Sequence, residues 1–143
     1  PNAMMAINPA EKVLRIADHM LEGEILFREG RVDESVKSLR AAIEIEDTLQ
    51  YMEPPDWVQP VRHTLGAVLL DAGRPAEAAA EYREDLRRWP ENGWSLFGLA
   101  QALRTTGDRA EADKVEARAK AAWNKSDIRP GPSCLCVPGS GGK

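Results

Sequence analysis

Gly73-Arg74 and Gly107-Asp108 lie 34 residues apart, and the residues around them keep the same distance. Leu65 aligns with Leu99, Gly66 with Ala100, Leu69 with Leu103, and Glu77-Ala78 with Glu111-Ala112. Upstream, Gly23, Leu26, Gly30 and Ser35 precede Gly66, Leu69, Gly73 and Ala78 by 43 residues, the same period lengthened by nine. A chain that repeats one supersecondary unit must bury the apolar face of each unit against its neighbours.

Each copy reads as helix, turn, helix. Gly30, Gly73 and Gly107 each end an apolar helical pattern, where a left-handed residue past the helix end favours glycine. Pro75 then stands at a first-turn position, and Asp108 can cap the helix carrying Ala112 and Val115. Gly66 lies inside a helix at a cost of roughly 1 kcal/mol relative to alanine, which implies a close helix crossing. Of the 20 alanines, 14 fall between Gly66 and Trp123, as expected where helix axes approach closely. The pattern predicts helices over residues 9–29, 32–53, 57–72, 75–88, 91–106 and 109–125, with no strands. Asn8-Pro9-Ala10-Glu11 opens the first with an N-cap, a proline and a capping-box glutamate. The nine extra residues surround Met52-Glu53-Pro54-Pro55-Asp56-Trp57. The prolines end the preceding helix, Asp56 is placed to cap the next, and Trp57 is expected to pack on a neighbouring helix. The insertion is a longer connector or a ridge that shapes a binding surface.

With these residues in place the chain resembles the tetratricopeptide repeat family. In the second copy Leu65-Gly66, Leu69, Gly73, Ala78, Tyr82 and Pro90 fall on that pattern. In the third, Leu96, Leu99, Ala100, Leu103, Gly107, Ala112 and Ala119 match, while Glu116 and Asn124 replace the usual aromatic and proline, as suits a terminal repeat. In the first, Gly23, Leu26, Gly30, Leu39 and Ala42 match, and Glu22 and Ser35 depart. The resemblance implies an all-α, right-handed solenoid of about three helix-turn-helix repeats with an irregular C-terminal tail. The repeats span about 16–49, 59–92 and 93–125 within a domain over 9–125, with the Pro-rich insertion at about 50–58. Residues 1–8 are read as a leader outside the fold, 126–143 as a Pro/Gly-rich tail, and the whole as part of a longer protein.

In that family the first helix of each repeat lines a concave groove. The resemblance therefore implies a peptide-binding surface of Met20, Glu24 and Phe27, then His63, Ala67 and Leu70, then Trp94, Phe97, Gln101 and Arg104. Its occupant is expected to be a protein or peptide held by aromatic anchors, unless these residues pack on one another or on a terminal segment. Family members that grip acidic chaperone tails use Lys, Asn and Arg, whereas the matching positions here hold Met20, Glu24, Ala67, Trp94 and Gly98. A cationic clamp is absent from that set.

Charge narrows the partners. The net −4 divides into −6 over residues 1–60, zero over 61–123 and +2 over 124–143. Nucleic acid needs a long basic face, and Arg83, Arg87 and Arg88 are interleaved with Glu81, Glu84 and Asp85 as a solvated face with pairs such as Glu84–Arg88. No apolar run approaches the roughly 18 residues of a membrane span, and a cytoplasmic location follows as an expectation. His19 and His63 lack a serine or cysteine at catalytic spacing, and Ser35, Ser38 and Ser95 read as solvated mid-helix hydroxyls, so no enzyme and no cofactor is expected. Cys134 and Cys136 lie outside the predicted core; reduced thiols are the ordinary reading, an intermolecular disulfide or a soft metal the alternative. The tail, extended by composition, is ordered if Leu135 and Val137 dock or the cysteines are linked. It also allows homo-oligomers through tail exchange.

Overall fold

The structure, a computed structural model, describes residues 3–127, 131–134 and 136. It is all-α in class, with six helices among the described residues: α1 (Ala10–Arg28), α2 (Val32–Glu46), α3 (Val61–Asp71), α4 (Pro75–Arg88), α5 (Gly93–Thr106) and α6 (Arg109–Ala122). They form the helix-turn-helix pairs of a tetratricopeptide-type solenoid. None of them is long and apolar enough to cross a membrane. The chain divides into two compact units, Pro1–Val61 and Arg62–Lys143.

The three glycine corners behave alike because the same backbone problem recurs. Gly30, Gly73 and Gly107 have φ of +79°, +71° and +90°, the left-handed region. The next residue's N–H then reaches back to the helix: Arg31 to Leu26 O at 2.9 Å, Arg74 to Leu69 O at 2.8 Å, Asp108 to Leu103 O at 3.0 Å. Carbonyls left open by each helix end are thus satisfied. Pro75 begins α4, and the Asp108 side chain accepts the Glu111 N–H at the start of α6, both as expected.

In the first unit, Val13, Ile16, Met20 and Leu26 of α1 face Val36, Leu39, Ala42 and Ile43 of α2. The two helices meet at Gly23, where a Cβ would lie 2.7 Å from Leu39 Cγ. Ser35 and Ser38 are buried in this crossing, not solvated. Ser35 donates to Gly23 O at 2.7 Å, and Ser38 donates to His19 O at 2.9 Å and Glu22 Oε2 at 2.6 Å. A short hydroxyl that bonds the facing helix satisfies itself inside a core.

The leader and the insertion also depart from expectation, for one reason. Met4–Met5 (β1) pairs antiparallel with Asn8–Pro9 (β2), so a small hairpin precedes α1 and residues 4–8 belong to the fold. Asn8, 2% exposed, is not the N-cap of α1. Its amide donates to Gln50 O at 3.1 Å and Asp56 Oδ2 at 2.8 Å, and its carbonyl accepts the Gln50 N–H at 2.8 Å. Gln50 has both backbone groups taken this way and cannot continue a helix. α2 accordingly ends at Glu46, with the Thr48 hydroxyl bonded back to Ile45 O at 2.8 Å. Asp56, held by Asn8, does not cap α3. α3 starts at Val61, behind Pro60, which disfavours helical geometry at Gln59. Glu46 Oε2 instead receives the Val61 N–H at 3.2 Å.

In the second unit, Leu65, Val68 and Leu69 of α3, Ala78 and Ala79 of α4, Leu96, Leu99 and Leu103 of α5, and Ala112, Val115 and Ala119 of α6 supply the core. Tyr82 of α4 is fully enclosed. Its ring fills the space left by two glycines: a Cβ at Gly66 or at Gly98 would each fall 2.3 Å from Tyr82 Cζ. The close crossing expected at Gly66 is present, made by an aromatic wedge.

Candidate functional site

The groove residues meet different environments. In the first unit Met20 is buried in the core, while Glu24 and Phe27 are half-buried on α1. In the second unit His63 and Ala67 are buried on α3 and Leu70 is half-buried. On α5, Trp94, Phe97 and Gln101 are half-buried and Arg104 is exposed, a gradient running outward along one helix.

Three of these come together. Phe97, Gln101 and Arg104, with Ala100, line a cleft of about 700 Å³ whose other wall is Glu116, Ala119 and Lys120 of α6 and, after it, Trp123, Asn124 and Ser126. Phe97, Ala100, Ala119 and Trp123 make the wall apolar. The rim is a charge network: Arg104 pairs with Asp113 at 2.9 Å and with Glu116, and Lys120 reaches Glu116 at 2.8 Å. Lys120 and then Arg104 hold the Glu116 carboxyl down to about 2, far below the ordinary carboxylate range. The same pairing raises the Arg104 guanidinium. Glu116 and Arg104 thus both stay charged at physiological pH.

Trp94 does not share this cleft. Its ring packs edge-on against Trp123, centroids 5.0 Å apart and planes at 90°. Gly93 admits that packing, since a Cβ there would sit 2.4 Å from Trp123 Nε1. Trp94 therefore supports a cleft wall.

His63 likewise faces inward. Its Nε2 lies 3.2 Å from Asp85 Oδ2, which also receives the Ser95 hydroxyl at 2.5 Å. All three are at most 3% exposed, tying α3, α4 and α5 through one buried carboxylate. Ser95 is thus a bonded core hydroxyl, and Asp85 does not belong to the solvated charged face; the Glu84–Arg88 pair does, at 3.3 Å. Spacing carried a signal for Asp85, because 78, 82 and 85 follow the inner face of α4. The hydroxyl bonds the carboxylate and not the imidazole, so this trio lacks the order that activates a nucleophile.

The tail supplies what residue patterns missed. Ser133 and Cys134 are 1% and 2% exposed. The Ser133 hydroxyl hydrogen-bonds the Tyr82 hydroxyl across 51 residues of sequence. Cys134 and Cys136 form an intrachain disulfide, which replaces the reduced-thiol and intermolecular readings and occupies both sulfurs. Among the described residues no group of three or more His, Cys, Asp and Glu could hold a metal. Leu135 and Val137, expected as docking residues, lie outside the described residues.

Compared with known families, residues 63–127 match a model described as Tetratricopeptide repeat, and residues 19–48 match a second model of the same description. No curated protein matches the chain.

Proposed function

The chain belongs to the tetratricopeptide repeat family, whose repeats mediate protein–protein interaction, and from that premise we propose that its second unit captures a peptide segment in the cleft beside α5. The observation that carries this reading is the cleft itself. Phe97 and Trp123 offer apolar anchors, Gln101 and Asn124 offer amide groups for a backbone, and Arg104, Glu116 and Lys120 set a charged rim. That division into apolar centre and polar rim is how protein interfaces obtain affinity and register. The reading is non-catalytic: the buried His63–Asp85–Ser95 cluster has the wrong bonding order and is enclosed.

Phe97→Ala tests it, because Phe97 is half-buried and its truncation separates capture from folding. An array of short peptides is screened against wild type, and the binders are titrated against the variant. Binding weaker by tenfold or more, with stability within about 1 kcal/mol of wild type, is expected for an aromatic anchor. Binders that hold Phe97→Ala as tightly as wild type overturn the assignment.

A further inference from the structure

α1 carries two apolar faces. Val13, Ile16, Met20 and Leu26 are buried in the core of the first unit. At about 100° per residue, Leu14, Leu21 and Ile25 fall on the opposite side of the same helix, where they are 68%, 61% and 49% exposed. The outer side of a surface helix is ordinarily polar, and an apolar stripe there marks a face that meets another surface.

The stripe has the spacing of a coiled-coil seam. Glu11, Leu14, Asp18, Leu21, Ile25 and Arg28 follow one another at alternate steps of three and four, and all six are exposed. Beside the seam lies a cleft of about 550 Å³, lined in part by Leu21, Ile25 and Leu26 with Arg15, His19 and Glu22.

The order of charges along the seam says what covers it. Laid against its own reverse, the seam sets Glu11 opposite Arg28, Leu14 opposite Ile25 and Asp18 opposite Leu21, all centred between His19 and Met20. On the cleft side Arg15 then comes opposite Glu22, whose carboxylate is fixed by the Ser38 hydroxyl at 2.6 Å. Parallel pairing would instead set Glu11, Asp18 and Arg28 each against its own like charge. A self-complementary patch is what a two-fold dimer requires, whereas a lipid surface makes no use of the symmetry. Acids also outnumber bases on this face, which opposes an anionic membrane.

We propose that α1 pairs antiparallel with α1 of a second copy of this chain, forming a symmetric dimer through the first unit. Leu14 of each copy seats beside Ile25 of the other, at the cleft. Asp18 is a polar residue inside the seam, so it fixes register and lowers affinity. One helix pair is also a small interface, and the dimer is accordingly of micromolar strength. The pairing uses no residue of the cleft beside α5 and does not rest on the peptide-capture reading.

Sedimentation velocity of the full chain, loaded from about 1 to about 300 µM, tests this. The expected result is a coefficient that rises with loading to that of a dimer; a monomer at every loading overturns the pairing. Leu21→Glu sets a carboxylate opposite Asp18 twice over and should weaken the dimer at least about tenfold. Asp18→Leu should tighten it by about tenfold. Glu11→Arg and Arg28→Glu should each weaken it about threefold or more, and Glu11→Arg/Arg28→Glu should recover the wild-type value. Melting by circular dichroism checks that each variant is folded, and Leu14→Ser replaces Leu21→Glu if the latter melts early. A dimer that persists in the folded Leu21→Glu or Leu14→Ser variant overturns the surface. Single charge reversals without effect, or a double reversal no better than either, overturn the antiparallel register. A monomer that binds phosphatidylserine vesicles, and loses them on Leu21→Glu, overturns the second copy as the occupant.

Discussion

Gly66→Ala isolates the Tyr82 wedge, because two opposing effects of known size meet at one atom. Replacing a mid-helix glycine with alanine ordinarily stabilises by about 1 kcal/mol through backbone entropy. Here the new methyl would lie 2.3 Å from Tyr82 Cζ and 2.5 Å from Cε1. The ring cannot retreat, since a Cβ placed at Gly98 would meet the same Cζ at 2.3 Å. Overpacking costs about 1–3 kcal/mol, and a ring with no room to retreat takes the upper part of that range, about 2–3 kcal/mol, so the net expectation is a loss of about 1–2 kcal/mol. In a Tyr82→Leu background the obstacle is gone, and the same substitution should stabilise by about 0.5–1 kcal/mol. The sign inverts, and the double-mutant cycle should return a coupling of about 1.5–3 kcal/mol. Urea unfolding followed by tryptophan fluorescence suits the measurement, because Trp89, Trp94 and Trp123 all belong to the second unit. If Gly66→Ala leaves stability unchanged or raises it while Tyr82 is present, the boxed-ring argument is wrong.

Three further outcomes follow from named contacts. Asp85→Ala strands His63 Nε2 and the Ser95 hydroxyl in the interior and should cost about 2–4 kcal/mol by urea unfolding; a loss under about 0.5 kcal/mol would contradict the buried network. Asn8→Ala removes three hydrogen bonds to Gln50 and Asp56 and should cost the first unit about 1–3 kcal/mol, with faster hydrogen exchange at the Gln50 amide; unchanged exchange there sinks the clamp. The Glu116 pKa is depressed in the folded chain, so its pairing stabilises fully above the ordinary value of 4.5 and is lost as pH falls toward about 2. The melting-temperature gap between wild type and Glu116→Gln should therefore shrink as pH is lowered from about 6 to about 2. A gap that stays constant would show that the carboxylate's charge contributes nothing.

What could be read from the chain was what local backbone physics decides. Gly30, Gly73 and Gly107 must sit where a left-handed residue is needed, and their spacing located all three corners. Pro75 and Asp108 declared helix starts by the same local logic. The late start of α3 was also locally encoded, in Pro60, but the neighbouring Asp56 offered a competing cap. Partners distant in sequence were not legible. Nothing near Asn8 announces Gln50, 42 residues on, and nothing near Tyr82 announces Ser133. Ser35, Ser38 and Ser95 read as surface hydroxyls because a short polar side chain does not reveal whether a carbonyl or carboxylate awaits it inside. For the candidate site, the family resemblance singled out Phe97, Gln101 and Arg104, which line the cleft. The resemblance gave no hint of Trp123, which enters from the end of the last helix.

The three glycine corners carry a consequence for how such a chain can be edited. Each corner closes on its own backbone with the same two-residue grammar, and a Cβ at any of the three glycines would meet nothing within 4 Å. The side-chain bonds at the corners are as local as the turns themselves, Arg31 to Glu34, Arg74 to Glu77 and the Glu111 N–H to Asp108. A segment cut at Gly73 and Gly107 therefore carries a complete turn at each junction, and its duplication in tandem would preserve chain direction without redesign of the hinge. Growth by copying is limited only by whether successive faces accept one another, which makes the corner a natural seam for recombination.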